Sequence, residues 1–421
     1  MLFFDRLILA QYSTTAMNAA VAAGIMCITL GFFVYGIAAI SEVFVGQYNG
    51  ANKPEKLGEP VWQMIWLCIF AWICFIPIAV WGGAPLLAKT LEPDGVPYIK
   101  VYMLFGALLP MSGAIAGFFV GQGRTQIILV ASVIGNVVNL ILDIFFVFGV
   151  EGWIPSMGTK GAALATGIGL LVQVLILLAM FLSPHNRKAH NTHIWKFIWD
   201  PFWKCVKVGT PSAVSHLLEL AAWSILTNVV ALVSDAHITV YAVGQTLFIL
   251  FTFGVEGLYK AIIAISSNYI GANRHDVIPE TMRAAVRLTV IASSLLLIPL
   301  IIWPEPLIYV CLGDYTGSMP FDTIVGLIKT SLIFVWFFFI ADMLAWTSIG
   351  VLTGAGDTKF VMVANAITSW SFALVPTYTL VVIMGYGPVT PWILAVVYGG
   401  LNALVFYLRY KGGKWKTLSI Q

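Results

Sequence analysis

Apolar stretches long enough to cross a lipid bilayer dominate this chain. Eleven of them occur, at roughly residues 17–46, 61–83, 98–121, 126–150, 160–183, 208–233, 239–269, 281–303, 323–353, 359–384 and 391–408. A membrane-spanning helix needs about 20 mainly apolar residues, and these stretches have that length. They are too long for the strands of a membrane β-barrel and lack their alternation of apolar and polar residues. The chain is therefore expected to be an all-α polytopic membrane protein.

The overall composition fits a surface that faces lipid. Of the 421 residues, 60% are hydrophobic and 10% are charged, whereas a soluble domain has about 25% charged residues. Fifteen Trp and fifteen Tyr suit a protein whose aromatic side chains anchor it at two bilayer interfaces. The small net charge of +3 does not indicate nucleic acid as a partner.

Basic residues lie mainly on one side of the expected spans. If the connections after the odd-numbered spans and the C-terminus face the cytoplasm, that side holds sixteen of them: Lys53, Lys56, Arg124, Arg187, Lys188, Lys196, Lys204, Lys207, Arg274, Arg283, Arg287, Lys359, Arg409, Lys411, Lys414 and Lys416. The other side holds Arg6, Lys89, Lys100 and Lys160. This positive-inside asymmetry predicts a multi-pass protein of a plasma membrane or bacterial inner membrane with a cytoplasmic C-terminus.

Two halves of the chain repeat each other. Tyr48-Asn-Gly-Ala-Asn-Lys53 recurs as Tyr269-Ile-Gly-Ala-Asn-Arg274, and Gly121-Gln-Gly-Arg-Thr-Gln126 recurs as Gly354-Ala-Gly-Asp-Thr-Lys359. Equivalent loops on the same side predict a parallel pseudo-two-fold repeat of two homologous six-helix bundles. The first bundle is expected to be truncated, because residues 1–9 look like the end of a helix whose beginning is missing.

The repeat predicts four regions. An N-terminal transmembrane lobe covers 1–183, and a C-terminal transmembrane lobe covers 208–408. A basic, Trp-rich linker at 184–207 is expected to lie along the cytoplasmic interface as an amphipathic segment. Residues 409–421 form a basic cytoplasmic tail.

Ionisable residues inside spans indicate function, because a charge at the bilayer centre costs at least about 2.5–3.5 kcal/mol. Asn139 and Asp143 are four residues apart and share a helix face. Counted at 1.5 Å per residue, Asp5, Asp143 and Thr166 lie at nearly one depth, about 10 Å below the outer edge. These side chains suit an oxygen-rich Na⁺ site, or a carboxyl pair that shares a proton. The alternative is a set of separate hydrogen bonds between helices.

A second acidic group is expected in the C-terminal half. Glu219, Asp342 and Glu256 lie at similar depths, about halfway through their spans, and Lys260 is one turn from Glu256. Glu256 and Lys260 are equally explained as a neutralising pair. Glu219 and Asp342 have no basic partner nearby in sequence, which favours a binding site.

The ordered motifs resemble the MATE (multidrug and toxic compound extrusion) family. They comprise the two repeated loops with their Gly-Ala pairs, Gly158-Thr-Lys-Gly-Ala-Ala-Leu-Ala-Thr166, and Gly209-Thr-Pro211 after the basic linker. The resemblance implies twelve helices in two lobes around a central cavity, and drug export driven by inward movement of Na⁺ or H⁺.

The same resemblance assigns functional residues. Asp5, Asn139, Asp143 and Thr166 match the family's cation-coupling positions one by one, so they are candidate Na⁺ ligands. Glu219 and Asp342 match the acidic positions that one branch uses in the C-terminal lobe. That branch has a Tyr four residues before the Asp, where this chain has Phe338. Glu256 and Lys260 have no counterpart in the family pattern.

The expected function is secondary active antiport, with organic and often cationic compounds exported in exchange for Na⁺ or H⁺. No cofactor is expected besides the coupling ion, and the expected partners are the bilayer and small-molecule substrates. The protein is expected to be a monomer. The alternative is a lipid-linked oligosaccharide flippase of a related two-lobed fold. An intramembrane enzyme is disfavoured, because the chain has no HExxH, GxSxG or paired-Asp signature.

Overall fold

The computed structural model describes residues 1–81, 87, 89–313, 315, 317–418 and 420, with residues 2 and 3 described as backbone only. Residues 82 and 83 of the predicted span 61–83, and residues 419 and 421 of the predicted tail, lie outside the described residues. In the described part, regular structure is helical, and a single β-bridge joins Val150 and Ile154. The all-α prediction is therefore confirmed.

The helices are numbered here in chain order. They are α1 (Leu2–Tyr12), α2 (Thr14–Ala38), α3 (Ser41–Gly50), α4 (Gly58–Trp81), α5 (Glu92–Leu104), α6 (Leu108–Gly121), α7 (Gln126–Phe148), α8 (Thr159–Phe181), α9 (Pro184–His190), α10 (Trp199–Ala231), α11 (Asp235–Gly271), α12 (Ile278–Leu297), α13 (Glu305–Leu312), α14 (Phe321–Gly354), α15 (Thr358–Thr368), α16 (Val375–Thr377) and α17 (Thr390–Lys411). Within the described residues, eleven helical segments are long and apolar enough to cross a membrane, as predicted.

Prolines lie near irregular turns in several spans, among them Glu92–Gly121 and Thr358–Ile383. The span Glu92–Gly121 is broken between α5 and α6, just before Pro110. In the span Thr358–Ile383, wider π-helical turns flank the short helix α16, which contains Pro376. A proline lacks the N–H that an α-helix needs at its position, and local π turns satisfy the freed carbonyl groups.

The chain divides into two compact units, Met1–Ala213 and Val214–Ile420. We call them the N-terminal unit and the C-terminal unit. The division lies inside α10, which begins at Trp199 and continues without a break into the first span of the second half. Residues 199–207 of the predicted linker are therefore helical and continuous with a span.

The rest of the linker is bound to α4. Trp62 donates from Nε1 to the carbonyl of Thr192 at 2.8 Å. Gln63, which is 1% exposed, donates to the carbonyl of Lys196 at 2.9 Å and accepts from the backbone N–H of Ile198 at 3.0 Å. These bonds hold the linker as an ordered strap across the N-terminal unit.

The sequence repeat is also a repeat of local conformation. Asn52 and Asn273 both have positive φ, at 55° and 58°, a backbone region that asparagine tolerates well. The next residue closes each helix end, because Lys53 N–H donates to the carbonyl of Tyr48 at 3.0 Å and Arg274 N–H donates to that of Tyr269 at 2.8 Å. Both are Schellman-type helix ends, so the two motifs stop their helices in the same way.

Candidate functional site

Four polar side chains predicted to form one site do meet inside the N-terminal unit. Asp5 comes from α1, Asn139 and Asp143 from α7, and Thr166 from α8. Each is 2% exposed or less. We call this group the N-unit cluster.

Close packing of α7 on α8 brings the cluster together. A Cβ atom on Gly169 would lie 2.8 Å from the Cβ of Asn139, and one on Gly135 would lie 2.9 Å from the carbonyl oxygen of Gly169. Small residues at such positions let two membrane helices approach closely. This packing holds Asn139 next to Thr166. Asp143 is one helical turn after Asn139 on the same face of α7.

The N-unit cluster has fewer hydrogen-bond donors than acceptors. Asn139 Nδ2 lies 3.1 Å from Asp5 Oδ1, 3.2 Å from Asp143 Oδ2 and 3.3 Å from Thr166 Oγ1. Thr166 Oγ1 donates to Asp5 Oδ2 at 2.5 Å. An amide NH₂ carries only two hydrogens, so it cannot satisfy three acceptors at once.

Two oxygens of the cluster are buried without any hydrogen-bond partner among the described residues. They are Oδ1 of Asn139 and Oδ1 of Asp143. A buried acceptor left unpaired is costly, and two carboxylates at one site repel each other unless a positive charge joins them. The arrangement therefore fits a bound cation or a proton.

The chemistry of the donors favours a hard cation over a transition metal. The four side chains offer carboxylate, amide and hydroxyl oxygens. Oxygen atoms are the ligands that hard cations such as Ca²⁺ and Mg²⁺ bind. No group of three or more His, Cys, Asp or Glu side chains suited to a metal ion occurs among the described residues.

A second polar group lies in the C-terminal unit, around Glu219 on α10 and Asp342 on α14. Asn365 of α15 donates from Nδ2 to Glu219 Oε2 at 2.9 Å and to Ser215 Oγ at 3.2 Å. Trp346 donates from Nε1 to Asp342 Oδ1 at 3.1 Å. The Trp346 ring centroid lies 5.7 Å from that of His216, which is about one turn before Glu219 on α10. We call these residues the C-unit cluster.

The other residues predicted for this half are placed differently. Phe338 is 1% exposed, and its ring packs within 4.8 Å of the Phe248 ring centroid. Glu256 has an exposed side chain, and Lys260 is half-buried. Glu256 follows the buried Val255 on α11, so it is turned away from that buried face. Unlike Asp342, Glu256 is therefore not buried.

Sequence reasoning missed Ser215, Asn365 and Trp346 as members of the C-unit cluster. Ser215 and Trp346 stand four residues from Glu219 and Asp342 on the same helices, so helical spacing could have identified them. Asn365 is on a different helix, and the only sequence signal is an amide inside an apolar span.

Known proteins resemble this chain in sequence. The MatE family model matches residues 1–145 and 211–379, more than half of the chain. A Thermotoga maritima protein described as "Probable multidrug resistance protein NorM" is 22% identical over 433 residues, covering 99% of this chain and 89% of the relative.

Solved structures share the fold. A structure described as "Crystal structure of MATE in the bent conformation" matches with a TM-score of 0.86 at 15% identity, covering 99% of this chain and 91% of the other. A MOP superfamily transporter from Pyrococcus furiosus matches with a TM-score of 0.85 at 16% identity, covering 99% and 92%. For that protein, a reversed polarity of the binding pocket is said to suggest a different function. At these identities the two structures establish the fold alone.

Proposed function

Because the chain belongs to the MatE family, we propose that this membrane transporter is a secondary active antiporter. It exports organic, often cationic, drugs or toxic compounds in exchange for Na⁺ or H⁺. Family membership makes it a transporter and not an enzyme. The named relative is described as a multidrug resistance protein and one solved structure as MATE, so the alternative of a lipid-linked oligosaccharide flippase gains no support.

The N-unit cluster is the observation that carries the coupling proposal. It places two carboxyl groups, an amide and a hydroxyl in one buried location, with Asn139 Oδ1 and Asp143 Oδ1 unpaired among the described residues. Na⁺ would be held by oxygens of Asp5, Asn139, Asp143 and Thr166. A proton would instead reside on one carboxyl of the Asp5–Asp143 pair and remove their repulsion.

Cation binding drives export only if it changes the balance between transporter conformations. A ligand shifts such an equilibrium by its difference in affinity for the two states. The N-unit cluster joins α1, α7 and α8, so a cation that binds its oxygens changes how strongly these three helices are held together. That is the proposed link between the ion gradient and drug release.

The test is export of a fluorescent cationic dye from proteoliposomes energised by a Na⁺ gradient or by a pH gradient. Asp143→Asn keeps the shape but removes the negative charge that attracts Na⁺ and the carboxyl that can carry a proton. Gradient-driven export is expected to fall at least about tenfold, which corresponds to about 1.4 kcal/mol. The gradient that energises the wild type identifies the coupling ion.

Glu151→Gln is the matched control, because Glu151 is an exposed acid of the same unit. Its export is expected to equal that of the wild type. Full-rate export by Asp143→Asn under both gradients would refute coupling through the N-unit cluster.

The cellular arrangement is part of the same proposal. The protein is multi-pass, with its C-terminus in the cytoplasm, and works as a monomer in a plasma membrane or bacterial inner membrane. The excess of Lys and Arg on one side of the spans supports the orientation.

A further inference from the structure

A chain of aromatic rings lies on the surface of the N-terminal unit, where the strap meets α4 and α10. The ring of Trp66 on α4 stacks on that of Trp195 at 6.1 Å between centroids. Phe197 lies 5.9 Å from Trp199, which lies 5.6 Å from Trp203. Trp195 and Trp199 are 63% and 64% exposed, so most of each side chain is left uncovered. A contiguous exposed apolar patch marks a surface that contacts another molecule.

Hydrogen bonds from α4 hold the strap in place under these rings. Trp66 donates from Nε1 to the carbonyl of Trp195 at 3.1 Å, and Gln63 donates to the carbonyl of Lys196 at 2.9 Å. The backbone of both strap residues is thus fixed, while their side chains are exposed. A surface that is ordered before its ligand arrives loses less conformational freedom on binding.

Positive charge accompanies the rings. Residues 184–207 contain one acid, Asp200, and five basic residues: Arg187, Lys188, Lys196, Lys204 and Lys207. Lys204 pairs with Asp200 at 3.3 Å, but both side chains are exposed, where such a pair is weak. Lys196 and Lys207 are exposed and form no salt bridge within the described part of the chain. Their charges are therefore available to an anion.

The first turns of α10 combine the rings and the charge on one face. Trp199, Trp203 and Lys207 are spaced four residues apart and are exposed, so they share a helix face. Phe202 and Cys205, at 7% and 1% exposure, lie on the buried side. The helix has 33 residues, whereas about 20 cross the hydrocarbon of a bilayer. Its first turns are thus long enough to extend into the headgroup region.

The chemistry of the surface identifies its ligand. Tryptophan rings favour the boundary between lipid headgroups and acyl chains, and ammonium groups attract phosphate. Four to eight basic residues next to a membrane helix are typical of sites for anionic lipids. We call Trp66, Trp195, Phe197, Trp199 and Trp203, together with Lys196 and Lys207, the strap patch.

We propose that the strap patch binds the headgroup of an anionic phospholipid, with the rings covering the start of its acyl chains and Lys196 and Lys207 facing its negative charge. The inference rests on the proposed cytoplasmic position of the linker, because anionic lipids give the cytoplasmic leaflet its negative surface potential. It concerns lipid binding, so it is tested without transport.

The experiment is native mass spectrometry of the purified protein in detergent, with phosphatidylglycerol and phosphatidylcholine of identical acyl chains added in equal amounts. The wild type is expected to retain phosphatidylglycerol preferentially. Lys196→Gln combined with Lys207→Gln is expected to lower the affinity for phosphatidylglycerol at least about tenfold, because each basic residue near an anionic surface contributes about fivefold. The affinity for phosphatidylcholine is expected to stay unchanged.

Two further pairs of substitutions separate a defined site from general attraction by positive charge. Lys411→Gln combined with Lys414→Gln removes the same charge from two exposed lysines of the tail, where Trp415 is buried, and is expected to leave both affinities unchanged. Lys196→Arg combined with Lys207→Arg keeps the charge and is expected to retain the preference for phosphatidylglycerol.

The rings are tested by Trp195→Ala combined with Trp199→Ala. This variant is expected to weaken binding of both lipids by a similar factor, because the rings contact the part that the two lipids share. Trp153→Ala is the matched control, since Trp153 is an exposed tryptophan of the same unit outside the strap patch.

Three outcomes would overturn the inference. They are equal retention of the two lipids by the wild type, an undiminished preference for phosphatidylglycerol after Lys196→Gln and Lys207→Gln, and an equal loss in the tail variant. Because the substituted side chains are exposed, size-exclusion chromatography is expected to show folded protein for each variant. A wild type that prefers phosphatidylglycerol but exports no dye would instead refute the proposed function.

Discussion

At the scale of single residues, two arginine–aspartate pairs of the C-terminal unit show how burial determines how much an ion pair stabilises the protein. Arg409 donates to Asp357 at 2.8 and 3.2 Å, with side chains 20% and 8% exposed, and lies 4.4 Å from the Phe360 ring centroid. Arg274 and Asp276 form a similar two-point pair with 60% and 66% exposure. The hydrogen bonds from Arg274 lower the pKa of Asp276.

Arg409→Lys is expected to destabilise the protein by about 2 kcal/mol, because lysine keeps the charge but loses a hydrogen bond to a charged group. Thermal unfolding in detergent measures this loss. Arg274→Lys is the matched control in the exposed pair, where solvent screening makes the contact weak. Equal melting temperatures for Arg409→Lys and the wild type would contradict the prediction.

Members of a site could be predicted from the sequence where their depth in a span, or their spacing along one helix, brings them together. The N-unit cluster follows from counting Asp5, Asp143 and Thr166 inward from the ends of their spans, although its cation-binding role stays a prediction. Asn365 could not be found in this way, because its hydrogen bond to Glu219 depends on how α15 is rotated about its axis. That rotation is set by packing between helices distant in sequence.

At the scale of elements, a pair of glycines four residues apart recurs in both units. Gly117 and Gly121 lie on α6, and Gly350 and Gly354 lie on α14. A Cβ on Gly117 would overlap Ser41 Oγ and lie 2.7 Å from Glu42 N, while one on Gly350 would lie 2.8 Å from Ile262 Cγ2. Such spacing allows close packing of membrane helices, here of α6 on α3 and of α14 on α11.

Gly117→Ala is expected to lower stability by about 1–3 kcal/mol, because the added methyl group must push α6 away from α3. The effect is measured by unfolding the detergent-solubilised protein and monitoring the unfolding with size-exclusion chromatography. Gly326→Ala is the control, since its added Cβ meets nothing within 4 Å on α14. A Gly117→Ala protein as stable as Gly326→Ala would show that this contact is not tight.

The eleven spans were predictable because apolar length is a local property of the sequence. The irregular turns were harder to predict: Pro77 remains inside an unbroken α4, while Pro299 lies in a π-helical turn at Ile298–Ile302. The residue type is the same in both helices. The outcome differs with the neighbouring groups that accept or supply the freed hydrogen bonds.

At the scale of the whole molecule, the distribution of positive charge predicts an orientation that labelling can test. In a background with the exposed Cys74 and half-buried Cys311 changed to serine, three exposed positions are converted one at a time: Glu151→Cys, Lys188→Cys and Lys414→Cys. A membrane-impermeant thiol reagent is expected to label only Glu151→Cys in intact cells, because the loops and tail rich in Lys and Arg stay in the cytoplasm. After permeabilisation all three should react. Labelling of Lys414→Cys in intact cells would place the tail outside, and would reverse the direction assigned to the cation gradient and to export.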